Sequence, residues 1–305
     1  MEEIGDQEIM TSKPVKLSNF VNYHIEMSKD SEYQYAEEYE SLKPVGRAES
    51  RNAAKLPENM GKNRYTNIHP YDNSRVKLAA IDDVEGSDYI NACYMPGFNS
   101  RREFIASQGP LPDTKDDFWR MVWEQNSRVI VMVTQCVEKG RPKCEHYWPY
   151  DEDPVYYGDI IVQVVKETVL PEWTVRDITI QRDTESRNVR HYNFMVWPDH
   201  GVPDTTPSLL KFVRSVRGHV SKEAMQMGPT VVHCSAGVGR TGTFIALDHL
   251  LLHMQKHNYV DIYGIVHEMR KHRVFMVQAE AQYIFIHQAI ADVLQGNDTE
   301  DSDED

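Results

Sequence analysis

The residues best suited to chemistry lie in one short run, His233-Cys234-Ser235-Ala236-Gly237-Val238-Gly239-Arg240-Thr241-Gly242. The apolar residues Thr230–His233 leading into it have the composition of a strand. Behind it, Phe244, Leu247, Leu251 and Met254 recur at i, i+3, i+7 and i+10, the spacing of a helix. Cys234 therefore ends a strand, and Arg240 opens a helix after five intervening residues. Gly237 and Gly239 permit positive φ angles, which lets the N–H groups of Ser235, Ala236, Gly237, Val238 and Gly239 converge, and the helix dipole adds to the same point. Such a loop cradles an oxyanion. Arg240 supplies two coplanar charge-assisted donors, a geometry that lysine lacks. A thiol in that field loses its proton readily, so Cys234 is expected to be an exposed thiolate at neutral pH, open to reversible oxidation. Beneath a bound phosphoryl group, with the Thr241 hydroxyl nearby, it is set for in-line attack on phosphorus and a phosphocysteine intermediate, without metal or cofactor. Rival readings explain less. A nucleotide-phosphate loop needs Gly-Lys-Ser/Thr where this chain has Gly-Arg-Thr. A Cys–His protease pair with His233 has no use for Arg240, and an inert buried cysteine needs neither the glycines nor the arginine.

Other elements must hold that loop in place. Residues 17–42 carry a helical pattern, and residues 113–126 read as a second helix opened by Asp113, whose side chain can cap free N–H groups. The runs 129–134, 159–165, 174–182 and 189–196 are rich in Val, Ile, Thr and Tyr and read as strands. Two further helices are expected near 260–271 and 280–294. Strands interleaved with helices imply an α/β fold: a single domain with a central twisted mixed sheet flanked by helices on both faces. The expected bounds are a flexible segment over 1–15, the domain over 16–296 and an acidic disordered tail over 297–305.

Composition bounds the partners. Hydrophobic content of 40% and charged content of 26% are those of a globular chain. No apolar run approaches the ~20 residues that span a bilayer, and the acidic start differs from a secretory signal, so this segment is expected to make no membrane contact of its own. Cys93, Cys136, Cys144 and Cys234 are scattered without a C-x-x-C pair, which suggests neither a disulfide framework nor a zinc site and fits a reducing, cytoplasmic setting. A net charge of −14 disfavours nucleic acid as partner.

Over about residues 42–294 the sequence resembles the classical protein tyrosine phosphatases, through six motifs in order. They are KNRYTNI at 62–68, DYINACY at 88–94, SQGPLPDT at 107–114, VEKGRPKCEHYWP at 137–149, WPDHGVP at 197–203, and HCSAGVGRTG at 233–242 followed by the glutamines of VQAEAQ. The resemblance implies the cysteine phosphatase fold and hydrolysis of phosphotyrosine in proteins, with Cys234 as nucleophile and Arg240 on the phosphate. It further implies that the loop bearing Trp197 is mobile, and that Asp199 protonates the leaving phenolate and later deprotonates the attacking water. A phenolate without that proton leaves poorly, and a general acid contributes ~10²–10⁴-fold. Tyr65 would line a slot deep enough for phosphotyrosine, while Gln278 and Gln282, read as four apart on a helix, would position the hydrolytic water. Glu138 would pair with Arg240, Lys143 would meet Asp199 on loop closure, and His233 would tune the thiolate through backbone contacts. Asn67 stands where many members carry an acidic residue that holds the substrate backbone; the hydrogen-bonding capacity survives but the charge is lost.

The wording of GKNRYTNI, LPEWTVRD and VDIYGIV is most like that of receptor-type members with a single intracellular phosphatase domain. That likeness implies phosphotyrosine proteins as partners, a role in signal transduction, and a place inside the cell as part of a single-pass membrane receptor. Two alternatives stay open. One is a catalytically weak phosphotyrosine-binding adaptor, against which stand the retained Asp199, Cys234, Arg240 and Gln278. The other is a lipid or dual-specificity phosphatase; inositide enzymes tend to carry lysines inside the loop, where this chain has Ala236 and Val238.

Overall fold

The strand that delivers Cys234 lies in the middle of a nine-stranded sheet, and the rest of the chain is arranged around it. The structure, a computed structural model, describes residues 10–198, 201–223 and 227–299. A short strand β1 (Val15–Lys16) leads into helices α1 (Leu17–Met27), α2 (Lys29–Ser41) and the single turn α3 (Pro57–Met60). Strands β2 (Arg75–Lys77), β3 (Tyr89–Met95) and β4 (Phe104–Ser107) precede α4 (Lys115–Glu124) and β5 (Val129–Met132). A small hairpin of β6 (Val137–Glu138) and β7 (Arg141–Pro142) follows, then the meander β8 (Val155–Tyr157), β9 (Ile160–Val169), β10 (Trp173–Arg182) and β11 (Glu185–Phe194). Helix α5 (Pro207–Glu223), strand β12 (Thr230–His233), helix α6 (Gly239–Met254), the short β13 (Tyr259–Val260), and helices α7 (Ile262–His272) and α8 (Glu280–Gln295) complete the described chain.

The strand order is β2-β3-β4-β12-β5-β11-β10-β9-β8. Its centre, β4, β12, β5 and β11, is parallel, and both flanks are antiparallel, so the sheet is mixed. His233 ends β12 in register with Ser107 of β4 and Met132 of β5. The catalytic candidate thus emerges at the carboxyl ends of parallel strands, where open α/β sheets gather their loops. Both faces are covered. Val129 and Val131 of β5 point into one apolar core with α5, α6 and α8, while Ile130 and Met132 point into a second with Phe118, Trp119, Met121 and Val122 of α4. Each such buried side chain contributes roughly 1.5–3 kcal/mol. Among the described residues no helix is long and apolar enough to cross a membrane.

Several local expectations are corrected. The pattern over 17–42 is two helices, because Asp30, Ser31 and Glu32 take left-handed φ angles of 52°, 57° and 65°. Asp and Ser compete for backbone groups and favour turns, and none of the three is an apolar residue that a core would hold in helical register. Asp113 does not cap α4: Thr114 holds the N-cap position without a side-chain cap bond, and its hydroxyl accepts from the Leu111 N–H at 2.9 Å. Helix α6 falls where the spacing of Phe244, Leu247, Leu251 and Met254 predicts a helix, and it is buried on nearly every side, since it packs against α5, α7 and α8. Residues 12–15, assigned to a flexible segment, are fastened: Ser12 Oγ and the Lys13 N–H donate to Asp261 at 2.6 and 2.8 Å, Val15 pairs with Val260, and Lys13 bridges to Glu38. In the expected tail, Asp298 accepts a hydrogen bond from Arg214; residues 300–305 lie outside the described residues.

Candidate active site

Cys234 follows β12 directly, and the chain turns at once into α6. Its Sγ accepts hydrogen bonds from the Gly237 N–H at 3.2 Å and the Thr241 hydroxyl at 3.3 Å. Gly237 has a φ of +75°, and a Cβ there would stand 2.2 Å from the Ser107 carbonyl oxygen, so only glycine fits. Gly239 is needed for a different reason than expected. It does not take a positive φ; a Cβ there would meet the Gln282 amide at 3.0 Å and Gln278 Cβ at 3.2 Å. Helix α6 has Val238 at its N-cap and no side-chain cap, which leaves its first-turn N–H groups for a bound anion.

The loop is shaped from outside by a residue that sequence reasoning missed. Arg273, fully buried, donates from Nε to the Gly237 carbonyl at 3.0 Å and from Nη2 to the Ala236 carbonyl at 2.9 Å. A planar trans peptide points its N–H opposite to its carbonyl. Pulling the Ala236 carbonyl outward therefore turns the Gly237 N–H inward, toward the sulfur. Asn91 Oδ1 accepts a further bond from Arg273 at 2.8 Å. Arg64 was missed as well: it donates to the Gly109 and Pro110 carbonyls at 3.1 and 2.6 Å, while the Gly109 N–H donates to the Ser235 carbonyl at 2.9 Å. Neither arginine lies in a pattern that periodicity singles out.

The guanidinium of Arg240 makes a two-pronged contact with Glu138, at 2.7 and 2.9 Å, and donates from Nη2 to the Pro198 carbonyl at 3.0 Å. Burial alone would raise the Glu138 pKa, but the Arg240 fork, with the Gln135 N–H and Thr134 hydroxyl, holds it below the ordinary carboxylate value. The Trp197 ring lies 5.8 Å from the Arg240 guanidinium, and its Nε1 donates to the Gly201 carbonyl at 3.3 Å. Ser235 Oγ donates to the Lys143 carbonyl at 2.7 Å and accepts from Tyr65 Oη at 2.7 Å, which fixes the tyrosine ring. His233 does not touch the sulfur. Its Nδ1 donates to the Cys234 carbonyl at 3.1 Å and its Nε2 accepts from Tyr147 Oη at 2.7 Å. Burial lowers its pKa to about 4, so the ring is neutral and both nitrogens are occupied, which leaves no base for a Cys–His pair.

These groups border one cavity of about 430 Å³. Tyr65, Asn67, Lys143, Ser235, Ala236, Gly239, Arg240, Gln278 and Gln282 line it, and Cys234 lies at its floor, only 5% exposed rather than open to solvent. Gly237 and Thr241 reach the sulfur without lining the cavity, and Val238 and Glu138 do not line it either. Asp199 lies outside the described residues. The two glutamines do not share a helix. Gln278 precedes α8, and Gln282 is in its first turn, where Oε1 accepts from the Ala279 N–H at 3.1 Å.

The family model for protein-tyrosine phosphatases matches residues 59–292. Receptor-type tyrosine-protein phosphatase eta of Homo sapiens is 52% identical over 286 residues, which is 93% of this chain and 21% of that protein. Phosphatidylinositol phosphatase PTPRQ of Rattus norvegicus is 50% identical over 283 residues, 92% of this chain and 12% of that protein. Receptor-type tyrosine-protein phosphatase H of Homo sapiens is 46% identical over 295 residues, 96% of this chain and 26% of that protein. The chain thus spans a quarter or less of the length of the first two of these relatives. Because the matched span carries the sheet, the loop after β12 and the glutamines before and within α8, the chain belongs to the protein-tyrosine phosphatase family.

Proposed function

We propose that this chain hydrolyses phosphotyrosine in proteins through a phosphocysteine on Cys234. The observation that carries the reading is the Cys234 sulfur, which receives the Gly237 N–H and the Thr241 hydroxyl at the floor of a cavity bordered by Arg240. Both donors aim their hydrogens at the sulfur. A phosphoryl group entering the loop meets the free N–H groups of the α6 N-terminus and the Arg240 fork, which stabilise charge as it develops on the equatorial oxygens. The thiolate attacks phosphorus, the bond from phosphorus to the phenolic oxygen breaks, and Asp199 gives its proton to that oxygen. Water then attacks the phosphocysteine, Asp199 takes its proton, and the sulfur–phosphorus bond breaks to release phosphate and restore the thiolate. Arg240 donating to the Pro198 carbonyl links the phosphate site to the residue before Asp199. Tyr65, braced by Ser235, supports a slot suited to an aryl phosphate, and Asn67 at the rim offers a neutral partner to the substrate backbone.

Two relatives are named receptor-type tyrosine-protein phosphatases, which supports a receptor-type protein of which this segment is a part. The names also favour one second reading, since another relative is named a phosphatidylinositol phosphatase. Uncharged Ala236 and Val238 in the loop weigh toward phosphotyrosine, because extra phosphates on an inositol ring call for added cations. The test is phosphate release from a phosphotyrosine peptide, a phosphoserine peptide and phosphoinositide vesicles in EDTA, with native chain and Cys234→Ser. Chelator-resistant release from the phosphotyrosine peptide alone, lost in Cys234→Ser, is the result expected. Preferential release from the vesicles would favour the lipid reading, and peptide binding without turnover the adaptor.

A further inference from the structure

Two residues just before Gln278 have backbone conformations that their side chains disfavour. Phe275 and Val277 have φ angles of +60° and +61°, a region that a β-branched residue enters only when its surroundings force it there. The surroundings of Val277 do so from three sides. Its carbonyl accepts from Tyr39 Oη at 2.9 Å and from Arg270 Nη2 at 2.8 Å, and its N–H donates to the Val238 carbonyl of the phosphate loop at 3.0 Å. Arg270 Nε also donates to the Met276 carbonyl at 3.0 Å, and its Nη2 reaches Tyr39 Oη at 3.1 Å.

Tyr39 lies in α2 and Arg270 in α7, and both are buried. Burial raises the phenol pKa above its ordinary value, so Tyr39 keeps its proton and remains a donor. Helix α2 is itself anchored one residue earlier. The buried Glu38 carboxylate accepts from Tyr283 Oη of α8 and pairs with Lys13. Tyr283 directly follows Gln282, and Val277 directly precedes Gln278. Each glutamine that lines the cavity therefore adjoins a residue held by α2, Val277 through its carbonyl and Tyr283 through its hydroxyl.

We propose that Tyr39 is a positioning residue for the second half of the reaction: with Arg270 it holds Val277 in its strained conformation and so aims Gln278 at the phosphocysteine. This rests on the phosphatase reading above. Without the Tyr39 hydroxyl, Val277 relaxes toward an ordinary φ and Gln278 swings off the place where it orients the hydrolytic water. Attack by Cys234 does not use Gln278 and stays unchanged. The predicted signature is a split, because kcat/KM reports steps up to formation of the phosphocysteine whereas kcat includes its hydrolysis.

The experiment is rapid-quench kinetics with p-nitrophenyl phosphate on the native chain, Tyr39→Phe, Gln278→Ala and the double variant, with quenched phosphoenzyme quantified by mass spectrometry. Tyr39→Phe keeps the buried ring, and a thermal melt checks that it folds. The expected result is hydrolysis of the phosphocysteine slowed about tenfold, the scale of a modest misplacement of a catalytic group. A burst of nitrophenol should appear at unchanged kcat/KM, and the double variant should behave like Gln278→Ala alone. If Gln278→Ala accumulates phosphoenzyme but Tyr39→Phe does not, or if Tyr39→Phe loses kcat and kcat/KM together, the positioning role is overturned and the phosphatase reading stands. If the native chain neither turns over nor forms a phosphoenzyme, both fall.

Discussion

At the scale of single residues, the site divides into groups that face the cavity and groups that shape it from behind. Cys234 and Arg240 belong to the first set and were legible, because their types and spacing state a chemistry; Gln278 also faces the cavity, but only the family resemblance pointed to it. Arg273 belongs to the second. A buried guanidinium bonded to the Ala236 and Gly237 carbonyls acts only by turning peptide planes, and no motif announces that in advance. Arg273→Met is expected to leave those carbonyls unsatisfied, at about 1–3 kcal/mol each, and to lower kcat/KM at least about tenfold. Urea melts and steady-state kinetics on the same preparation check both. Unchanged kcat/KM in a folded variant would mean that the loop holds its own shape.

At the scale of elements, the parallel centre of the sheet carries the loop, and buried charge ties the helices to it. Arg217 of α5 pairs with Asp248 of α6, and also with Glu103 at 2.9 Å, immediately before β4. Burial raises the Asp248 pKa against the pull of Arg217, so removing the arginine strands a buried carboxylate. Arg217→Met is predicted to destabilise the fold by about 3–5 kcal/mol, read from denaturant midpoints, whereas the double change Arg217→Met with Asp248→Leu should recover much of it. The loop after β12, the strands β9, β10 and β11, and helices α7 and α8 were visible in the sequence to within a few residues. Strands β3 and β4 were not, because they are buried on both faces and lack alternation. Helix α5 was legible and overlooked: its buried Leu209, Val213, Val216 and Val220 repeat at helical spacing. The placement of Gln278 off the helix could not be read, since it depends on the strained Val277, which contacts between distant elements impose.

At the scale of the whole molecule, several imidazoles are kept neutral by burial, which makes the fold acid-sensitive. Burial lowers the pKa of His233 and His249 to about 4 and that of His287 to about 3. Each takes up a proton on unfolding once the pH drops below the ordinary value of about 6.5, so stability falls with falling pH from there down to the folded values. Each such group adds a slope of about 1.4 kcal/mol per pH unit. Melts between pH 7 and pH 4 should show this decline, and His287→Asn should flatten it; a profile level across that window would refute the assignment. The central claim concerns one sulfur atom. Its most direct test is acid-quenched turnover of a phosphotyrosine peptide carrying labelled phosphate, followed by mapping of the labelled fragment. The account predicts label on the peptide that contains Cys234, as an S-phosphocysteine, and none in Cys234→Ser. Label on another residue, or full turnover with no labelled cysteine at any time point, would contradict it.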